Sequence, residues 1–249
     1  LAKQVDIESL LVGASSNGTE YQGYIDTVVE EIMNKTKTKE NPNGDNPYTV
    51  PMKIYTTMEK SIQDGINKAM TGETYTWHDD YAQSGIAVIN VETGAIAAVG
   101  AGRNKTGILT HNFATQETRQ PGSTAKPLFA YGPAIEFNNA STYTLYMDEP
   151  WQYSNGVEIG NWDANYQGLI TMRQALAVSR NIPALKAFQN TSKKSILSFV
   201  TSLGITPEIE GGSIHEAHAI GGFNPGATPL QMASAYSAFA SMGYYTEPY

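Results

Sequence analysis

A serine and a lysine three residues apart are the residues of this chain best suited to catalysis. They are Ser123 and Lys126, in the run QPGSTAKP at residues 120–127. On a helix, this spacing places the hydroxyl and the amine one turn apart on one face. Proline is tolerated only in the first turn of a helix, so Pro127 predicts that Ser123 lies near the helix start. A buried lysine whose pKa is lowered could then take the proton of the serine and make it a nucleophile.

A second polar pair, Ser179 and Asn181, separates two apolar periodic segments at residues 170–178 and 182–188. The periodicity predicts two helices joined by a tight link, from which both side chains can project into a cleft. Taken alone, Ser-x-x-Lys is more typical of an ordinary helix start than of a catalytic site. Taken alone, Ser-x-Asn is as typical of ordinary helix capping as of a catalytic site. Together, Ser-x-x-Lys at a helix start and Ser-x-Asn in a helix link indicate acyl transfer, because class A β-lactamases and penicillin-binding proteins combine these motifs.

The chain resembles the transpeptidase domain of class A penicillin-binding proteins in several further segments, collinear over about residues 48 to 249. The segments are KIYTTM at 53–58, GAIAAVG at 94–100, RQPGSTAKP at 119–127, NWDANYQG at 161–168, ALAVSRNIPA at 175–184, and the stretch from GGF to MG at 221–243. The resemblance implies the penicillin-binding/β-lactamase-like α+β fold, with an antiparallel sheet against a helical lobe. Residues 48–249 would be the N-terminal and central part of that domain, and residues 1–47 an inter-domain connector.

The same resemblance implies a D-alanyl-D-alanine transpeptidase that cross-links peptidoglycan stem peptides through a serine acyl-enzyme, for cell-wall synthesis and cell shape. Ser123 would be the nucleophile and Lys126 its base. Ser179 would pass the proton to the leaving amine, and Asn181 would bind the substrate amide. The expected covalent inhibitors are β-lactams, hence a link to antibiotic resistance, and no cofactor or metal is expected. The expected location is the extracytoplasmic face of the bacterial membrane, with the anchor and a glycosyltransferase domain upstream of this chain.

The chain departs from the family pattern at the third motif, a Lys-Thr-Gly strand that follows Ser-x-Asn. The only KTG, at residues 105–107, precedes Ser123 in a loop-like run, and the SSN at residues 15–17 lies in a polar segment. Both are interpreted as chance matches. We therefore expect the C-terminal strands, with one wall of the cleft and the second oxyanion donor, to lie in a C-terminal remainder of the domain outside this chain.

Three alternative functions share these motifs. A β-lactamase needs a base for rapid deacylation, but neither Glu149 nor Glu158 is followed by the asparagine of the class A β-lactamase arrangement. A carboxypeptidase differs only in using water as the acceptor. The third alternative is a non-catalytic scaffold module, and its best support is the missing Lys-Thr-Gly strand.

Composition narrows the class of protein further. The 249 residues carry a net charge of −8. This charge argues against nucleic-acid binding and against a polybasic patch on the protein that would bind a membrane. The absence of cysteine excludes disulfides and cysteine catalysis. The HEAH at residues 215–218 lacks one residue of the HExxH zinc signature, so a surface turn is the favoured interpretation. Trp162 and Tyr166 are interpreted as core aromatic residues rather than as part of a cleft.

Periodicity and turn signals give a coarse prediction of the elements. A helix at 24–33, a strand at 52–58, a helix at 59–70 and a hairpin with strands at 86–91 and 95–99 come first. The rest of the chain is predicted to be helical, over residues 123–137, 171–178, 182–190, 193–203 and 228–242. Strands followed by helices predict an α+β domain.

Overall fold

The computed structural model of the chain describes residues 20–105 and 107–249. The chain forms two compact units. Unit one combines the described residues up to 117 with residues 228–249, and unit two comprises residues 118–227. Helices and antiparallel strand pairs occur in both units, which confirms the predicted α+β class.

Seven α-helices, six strands and three shorter helical turns make up the described residues. In chain order they are α1 (Gln22–Lys35), α2 (Lys60–Met70), β1 (Ile86–Ile89), β2 (Ile96–Gly100), a 3₁₀ turn (Gly122–Ala125), a π-helical turn (Lys126–Tyr131), α3 (Gly132–Asn138), β3 (Leu145–Asp148), β4 (Trp151–Gln152), β5 (Glu158–Ile159), β6 (Gly168–Thr171), α4 (Met172–Ala177), α5 (Asn181–Gln189), α6 (Lys193–Ser202), a second 3₁₀ turn (Glu216–Ile220) and α7 (Pro229–Ala240). None of these helices combines the length and the apolar character needed to cross a membrane.

The predicted hairpin lies at the centre of unit one. Strands β1 and β2 pair antiparallel, with Ile86 opposite Gly100. Helix α1 packs on this hairpin through Tyr24 and Val29, which share a buried cluster with Val99. The described part of the predicted connector thus contributes a helix to the core of unit one, while the division of the chain at residue 47 stays a prediction.

The strand predicted at residues 52–58 is wrong. These residues form no regular strand. The Glu59 amide donates to the Ala97 carbonyl at 2.8 Å, and the Thr57 hydroxyl donates to the Ile96 carbonyl at 2.8 Å. A strand needs a ladder of backbone pairs, and one backbone bond beside a side-chain bond does not make one.

Unit two holds four short strands that periodicity does not reveal. Strand β3 pairs antiparallel with β6, and β4 pairs antiparallel with β5. Helix α4 follows β6 directly, and its start is fixed by a capping box in which Thr171 and Gln174 satisfy each other's backbone amides. Helix α5 begins after a link of three residues, in which Arg180 is fully buried while Ser179 and Asn181 are half-buried.

The regular helix predicted from residue 123 is three successive kinds of helix. Gly122–Ala125 is a 3₁₀ turn, Lys126–Tyr131 is π-helical, and only Gly132–Asn138 is α-helical. Pro127 has no N–H to donate to the residue four positions earlier, which removes one bond of the regular α pattern. The wider π turn accommodates that loss and places Lys126 inside the unit, where its side chain is fully buried.

Gly221 ends the second 3₁₀ turn and lies against the backbone that carries Ser123. Its φ is +80°, and a Cβ there would lie 2.1 Å from the carbonyl oxygen of Gly122. An alanine would therefore meet both left-handed strain and a backbone clash. We expect Gly221→Ala to lower the free energy of unfolding by about 2–4 kcal/mol, which corresponds to about 2–4 °C of Tm for each kcal/mol.

Gly212 provides the matched control for this substitution. Its φ of +81° is nearly identical, but a Cβ there would have nothing within 4 Å. Gly212→Ala should cost only the conformational strain, about 1–2 kcal/mol. Thermal unfolding of the two variants separates the clash from the strain, and equal losses of Tm would show that the Gly221–Gly122 contact is unimportant.

Candidate active site

Lys126 is the buried centre of the candidate site. Its side chain has no exposure to solvent, and its Nζ donates three hydrogen bonds. The acceptors are the Ser179 carbonyl oxygen at 2.7 Å, the Ser179 Oγ at 3.0 Å and the Asn181 Oδ1 at 2.7 Å. Three acceptors match the three protons of an ammonium group, so the amine is held in one orientation.

The surroundings of Lys126 lower the pKa of its amine, although the charged form still predominates at pH 7. Burial and, to a smaller extent, the positive charge of Arg180 lower the pKa of Lys126 to about 8. About a tenth of the molecules would then carry a neutral amine at pH 7. A neutral amine has only two protons and one lone pair. The Ser179 hydroxyl can reverse its bond and donate to that lone pair, which gives a short proton path between the two groups.

Ser123 lies on the exposed turn immediately before Lys126. Its side chain is exposed, and its hydroxyl has no hydrogen-bond partner within the described part of the chain. The turn is fixed by the Lys126 amide, which donates to the Ser123 carbonyl, and by the Thr124 hydroxyl, which donates to the Pro121 carbonyl at 2.6 Å. The structure therefore places the exposed Ser123 hydroxyl on a constrained turn, three residues before the buried Lys126.

The Ser-x-Asn link is fixed by the backbone conformation of Ser179 and by the hydrogen bonds of Asn181. Ser179 adopts a left-handed φ of +54°, which turns the chain between α4 and α5. The Asn181 amide donates to the Asn161 Oδ1 at 2.8 Å, and the Asn181 Nδ2 donates to the Gly160 carbonyl at 2.8 Å. The second Nδ2 hydrogen of Asn181 has no acceptor among the described residues. The structure thus brings Lys126, Ser179 and Asn181 together beside the Ser123 turn.

The middle residue of the link, Arg180, is buried in an ionic network that the sequence did not reveal. Its Nε donates to the Asp148 Oδ2 at 2.8 Å, and its Nη1 donates to both oxygens of Asp163, at 2.9 and 3.0 Å. Its Nη2 donates to the Asn165 carbonyl. Asp148 is also fully buried and accepts from Asn161 Nδ2 at 2.8 Å. The network ties the strand β3 and the residues before β6 to the Ser-x-Asn link.

Two other interpretations of sequence motifs are corrected by the structure. Trp162 and Tyr166 are not core residues, since they are 73% and 47% exposed. The Trp162 indole instead donates to the Val178 carbonyl at 3.1 Å, beside the Ser-x-Asn link. His218 is not in a surface turn, because it is 1% exposed and stacks on Phe223 with ring centroids 4.7 Å apart. Within the described residues, no group of three or more acidic, histidine or cysteine side chains could hold a metal ion.

Of the two chance motif matches, the structure describes only Lys105 and Gly107 of the KTG run. Lys105 belongs to unit one, where its Nζ forms an ion pair with the buried Asp26 at 3.0 Å, so the first residue of the KTG run has a structural partner. Thr106 and residues 15–17 lie outside the described residues.

Comparison with known proteins points to one family. A family model described as "Penicillin binding protein transpeptidase domain" matches residues 84–249. The chain is 42% identical over 238 residues to "Penicillin-binding protein 1A/1B" of Bacillus subtilis (strain 168), with 95% of this chain and 25% of that protein covered. It is 31% identical over 243 residues to "Penicillin-binding protein 1A" of Streptococcus pneumoniae (strain ATCC BAA-255 / R6), with 93% of this chain and 33% of that protein covered. The chain thus spans about a quarter and a third of the length of these relatives.

Solved structures show the same fold. The PonA1 protein of Mycobacterium tuberculosis, in complex with penicillin V, superposes with a TM-score of 0.76 at 22% identity. The match covers 92% of this chain and 61% of that chain. The likeness in fold extends over nearly the whole chain, including both units.

Proposed function

Because the chain belongs to the penicillin-binding protein transpeptidase domain family, we propose that it carries the serine site of a D-alanyl-D-alanine transpeptidase. The observation that supports this most is the buried Lys126 amine, bonded to Ser179 and Asn181 and one turn after the exposed Ser123. The proposed substrates are peptidoglycan stem peptides ending in D-Ala-D-Ala. The upstream glycosyltransferase domain, the membrane anchor and the extracytoplasmic location are parts of the same proposal.

In the first step, neutral Lys126 takes the proton of the Ser123 hydroxyl. The Ser123 Oγ attacks the carbonyl carbon of the penultimate D-alanine, and the Ser123 backbone amide is a donor for the developing oxyanion. The C–N bond to the terminal D-alanine then breaks. The leaving amine receives its proton from Lys126 through the Ser179 hydroxyl, to which Lys126 is bonded at 3.0 Å. The products are a Ser123 ester and free D-alanine.

In the second step, the amine of a neighbouring stem peptide attacks the Ser123 ester. The new amide bond forms as the C–O bond to Ser123 breaks, and the proton released by the amine returns to Ser123 through Lys126. Asn181, whose Oδ1 is bonded to Lys126, offers its remaining Nδ2 hydrogen to a carbonyl of the substrate. A cross-link results, and the site returns to its starting state.

The contacts of two carboxylates favour slow hydrolysis over β-lactamase activity. Rapid deacylation needs a base that positions water at the ester. Glu149 forms an ion pair with Lys186 at 2.8 Å, and Glu158 is exposed on strand β5. Neither contacts Lys126 or Ser123 in the described structure, so we expect the β-lactam ester to persist.

Mass spectrometry of the intact protein, before and after incubation with benzylpenicillin, tests the proposal. Opening the lactam ring expels no fragment, so the expected gain is the mass of one whole antibiotic. After proteolysis, the adduct should map to the peptide with Ser123. The protein tested should include the C-terminal remainder expected to carry the Lys-Thr-Gly strand. A folded protein of that kind that gains no mass, or an adduct on another peptide, would contradict the proposal. Release of D-alanine from a stem pentapeptide, with or without an acceptor amine, then separates transfer from carboxypeptidase activity.

A further inference from the structure

Arg180 is the middle residue of the Ser-x-Asn link, and its guanidinium binds Asp148, Asp163 and the Asn165 carbonyl. Both of its neighbours in sequence, Ser179 and Asn181, contact the Lys126 Nζ directly. On the premise that the proposed acyl transfer is correct, we propose that Asp163 is a positioning residue for acylation. Through its two hydrogen bonds to Arg180, it offsets the positive charge of the residue that lies between Ser179 and Asn181 in the chain, and so sets the pH at which Lys126 accepts the proton of Ser123.

The geometry assigns different tasks to the two carboxylates that bind Arg180. Asp148 is fully buried and accepts hydrogen bonds from Asn161, Arg180 and the Gln167 amide, so it fixes the backbone of the surrounding strands. Asp163 is partly exposed, and both of its oxygens bind the same nitrogen of Arg180. A substitution at Asp163 therefore changes the charge next to Arg180 with less damage to the core.

Few other charged groups among the described residues are placed to change the pKa of the Lys126 amine. In the described part of the chain, the positive charge of Arg180 contributes to the lowered pKa of Lys126, after burial itself. The remaining titratable groups on the elements packed around residues 126–131 are paired elsewhere, buried among aromatic rings or exposed. Lys186 is paired with Glu149, Glu216 with Ser154, His215 with Glu210, and His218 packs on Phe129 and Phe223, while Glu136, Arg173, Lys193 and Lys194 are exposed.

The sign of the effect follows from electrostatics. Removing the negative charge of Asp163 leaves the positive charge of Arg180 less offset, which makes the charged form of Lys126 less favourable and lowers its pKa. Removing the positive charge of Arg180 has the opposite effect and raises the pKa of Lys126. If the Arg180–Asp163 ion pair only held the Ser-x-Asn link in place, removing either charge would slow acylation. It would not move the pH dependence of acylation in opposite directions.

The rate constant of acylation by benzylpenicillin, measured from pH 6 to 10, provides the test. In the wild-type protein, we expect the rate to rise with pH and to level off above the pKa of Lys126, which is about 8. For Asp163→Asn the midpoint should fall by ~0.5–1 pH unit, and for Arg180→Gln it should rise by ~0.5–1 pH unit. Glu158→Gln removes the same charge from an exposed position in the same unit and should leave the midpoint unchanged.

Each outcome decides a separate question. With the C-terminal remainder of the domain present, a wild-type protein that is not acylated at any pH would overturn the proposed function and this inference together. An acylated wild type with an unmoved or raised midpoint in Asp163→Asn would overturn this inference alone. Arg180 is buried, so Arg180→Gln is the variant at greater risk of misfolding. Thermal unfolding checks both variants, and Asp163→Ser removes the same charge with a smaller side chain if Asp163→Asn does not fold.

Discussion

Replacing Ser123 with alanine is expected to abolish the covalent benzylpenicillin adduct. The ester requires the Ser123 Oγ, which is exposed and faces no competing hydrogen-bond partner within the described residues. The neighbouring Ser179 hydroxyl is only partly exposed, and we expect it to pass protons to and from Lys126, to which it is bonded at 3.0 Å, rather than to attack the antibiotic. The mass spectrum of Ser123→Ala after incubation should show the unmodified protein, a loss of at least ~10³-fold in labelling rate.

Two further serine variants make this result specific. Ser202 lies in the same unit, is exposed on α6 and donates only to the Phe199 carbonyl, so Ser202→Ala should be labelled at the wild-type rate. Ser179→Ala should still form the adduct, but more slowly, because it removes the proton path and not the nucleophile. An adduct that persists at full yield in Ser123→Ala would disprove the assignment of the nucleophile.

The sequence predicts those elements that have strong local signals. The start of α7 is marked by Thr228 followed by a proline, and the structure shows a capping box between Thr228 and Gln231 there. The hairpin of β1 and β2 follows from two apolar runs around a short turn with Gly94 at φ +79°. In these places local propensity and the final packing agree, so these elements can be predicted from a single sequence.

The elements that the sequence does not predict depend on contacts between distant residues. Strands β4 and β5 have two residues each, too few for an alternating pattern, and exist because they pair with each other. The π-helical turn at Lys126–Tyr131 is a response to Pro127 and to the packing of Lys126, and no propensity scale encodes it. The apolar stretch at 52–58 has the composition of a strand but lacks a full ladder of partners.

The candidate site divides in the same way. Ser123, Lys126, Ser179 and Asn181 come from two short motifs, whose residue types and spacing are informative without a structure. The network around Arg180 is assembled from Asp148 and Asp163, which belong to other segments of the chain. A weak signal existed in the run at residues 161–168, which carried part of the family resemblance although no role could be assigned to its aspartate.

Replacing Lys126 with alanine is expected to slow acylation by ~10²–10⁴-fold, the usual cost of losing a general base. Lys194 is an exposed lysine on α6 in the same unit, so Lys194→Ala is the matched control and should be acylated at the wild-type rate. The measurement is the acylation rate constant with benzylpenicillin. Because the neutral amine is the active form, the wild-type rate should rise as the pH passes through about 8, and this rise should be absent from Lys126→Ala.

Lys126→Arg separates the role of a base from that of a fixed positive charge. Arginine keeps the charge and the donors for Ser179 and Asn181, but it stays protonated across the accessible pH range. If Lys126 acts as the base, this variant should lose as much activity as Lys126→Ala and should also lose the rise with pH. A rate within about tenfold of the wild type, where general-base loss should cost ~10²–10⁴-fold, would mean that the charge of Lys126 assists the reaction and that another group takes the proton of Ser123.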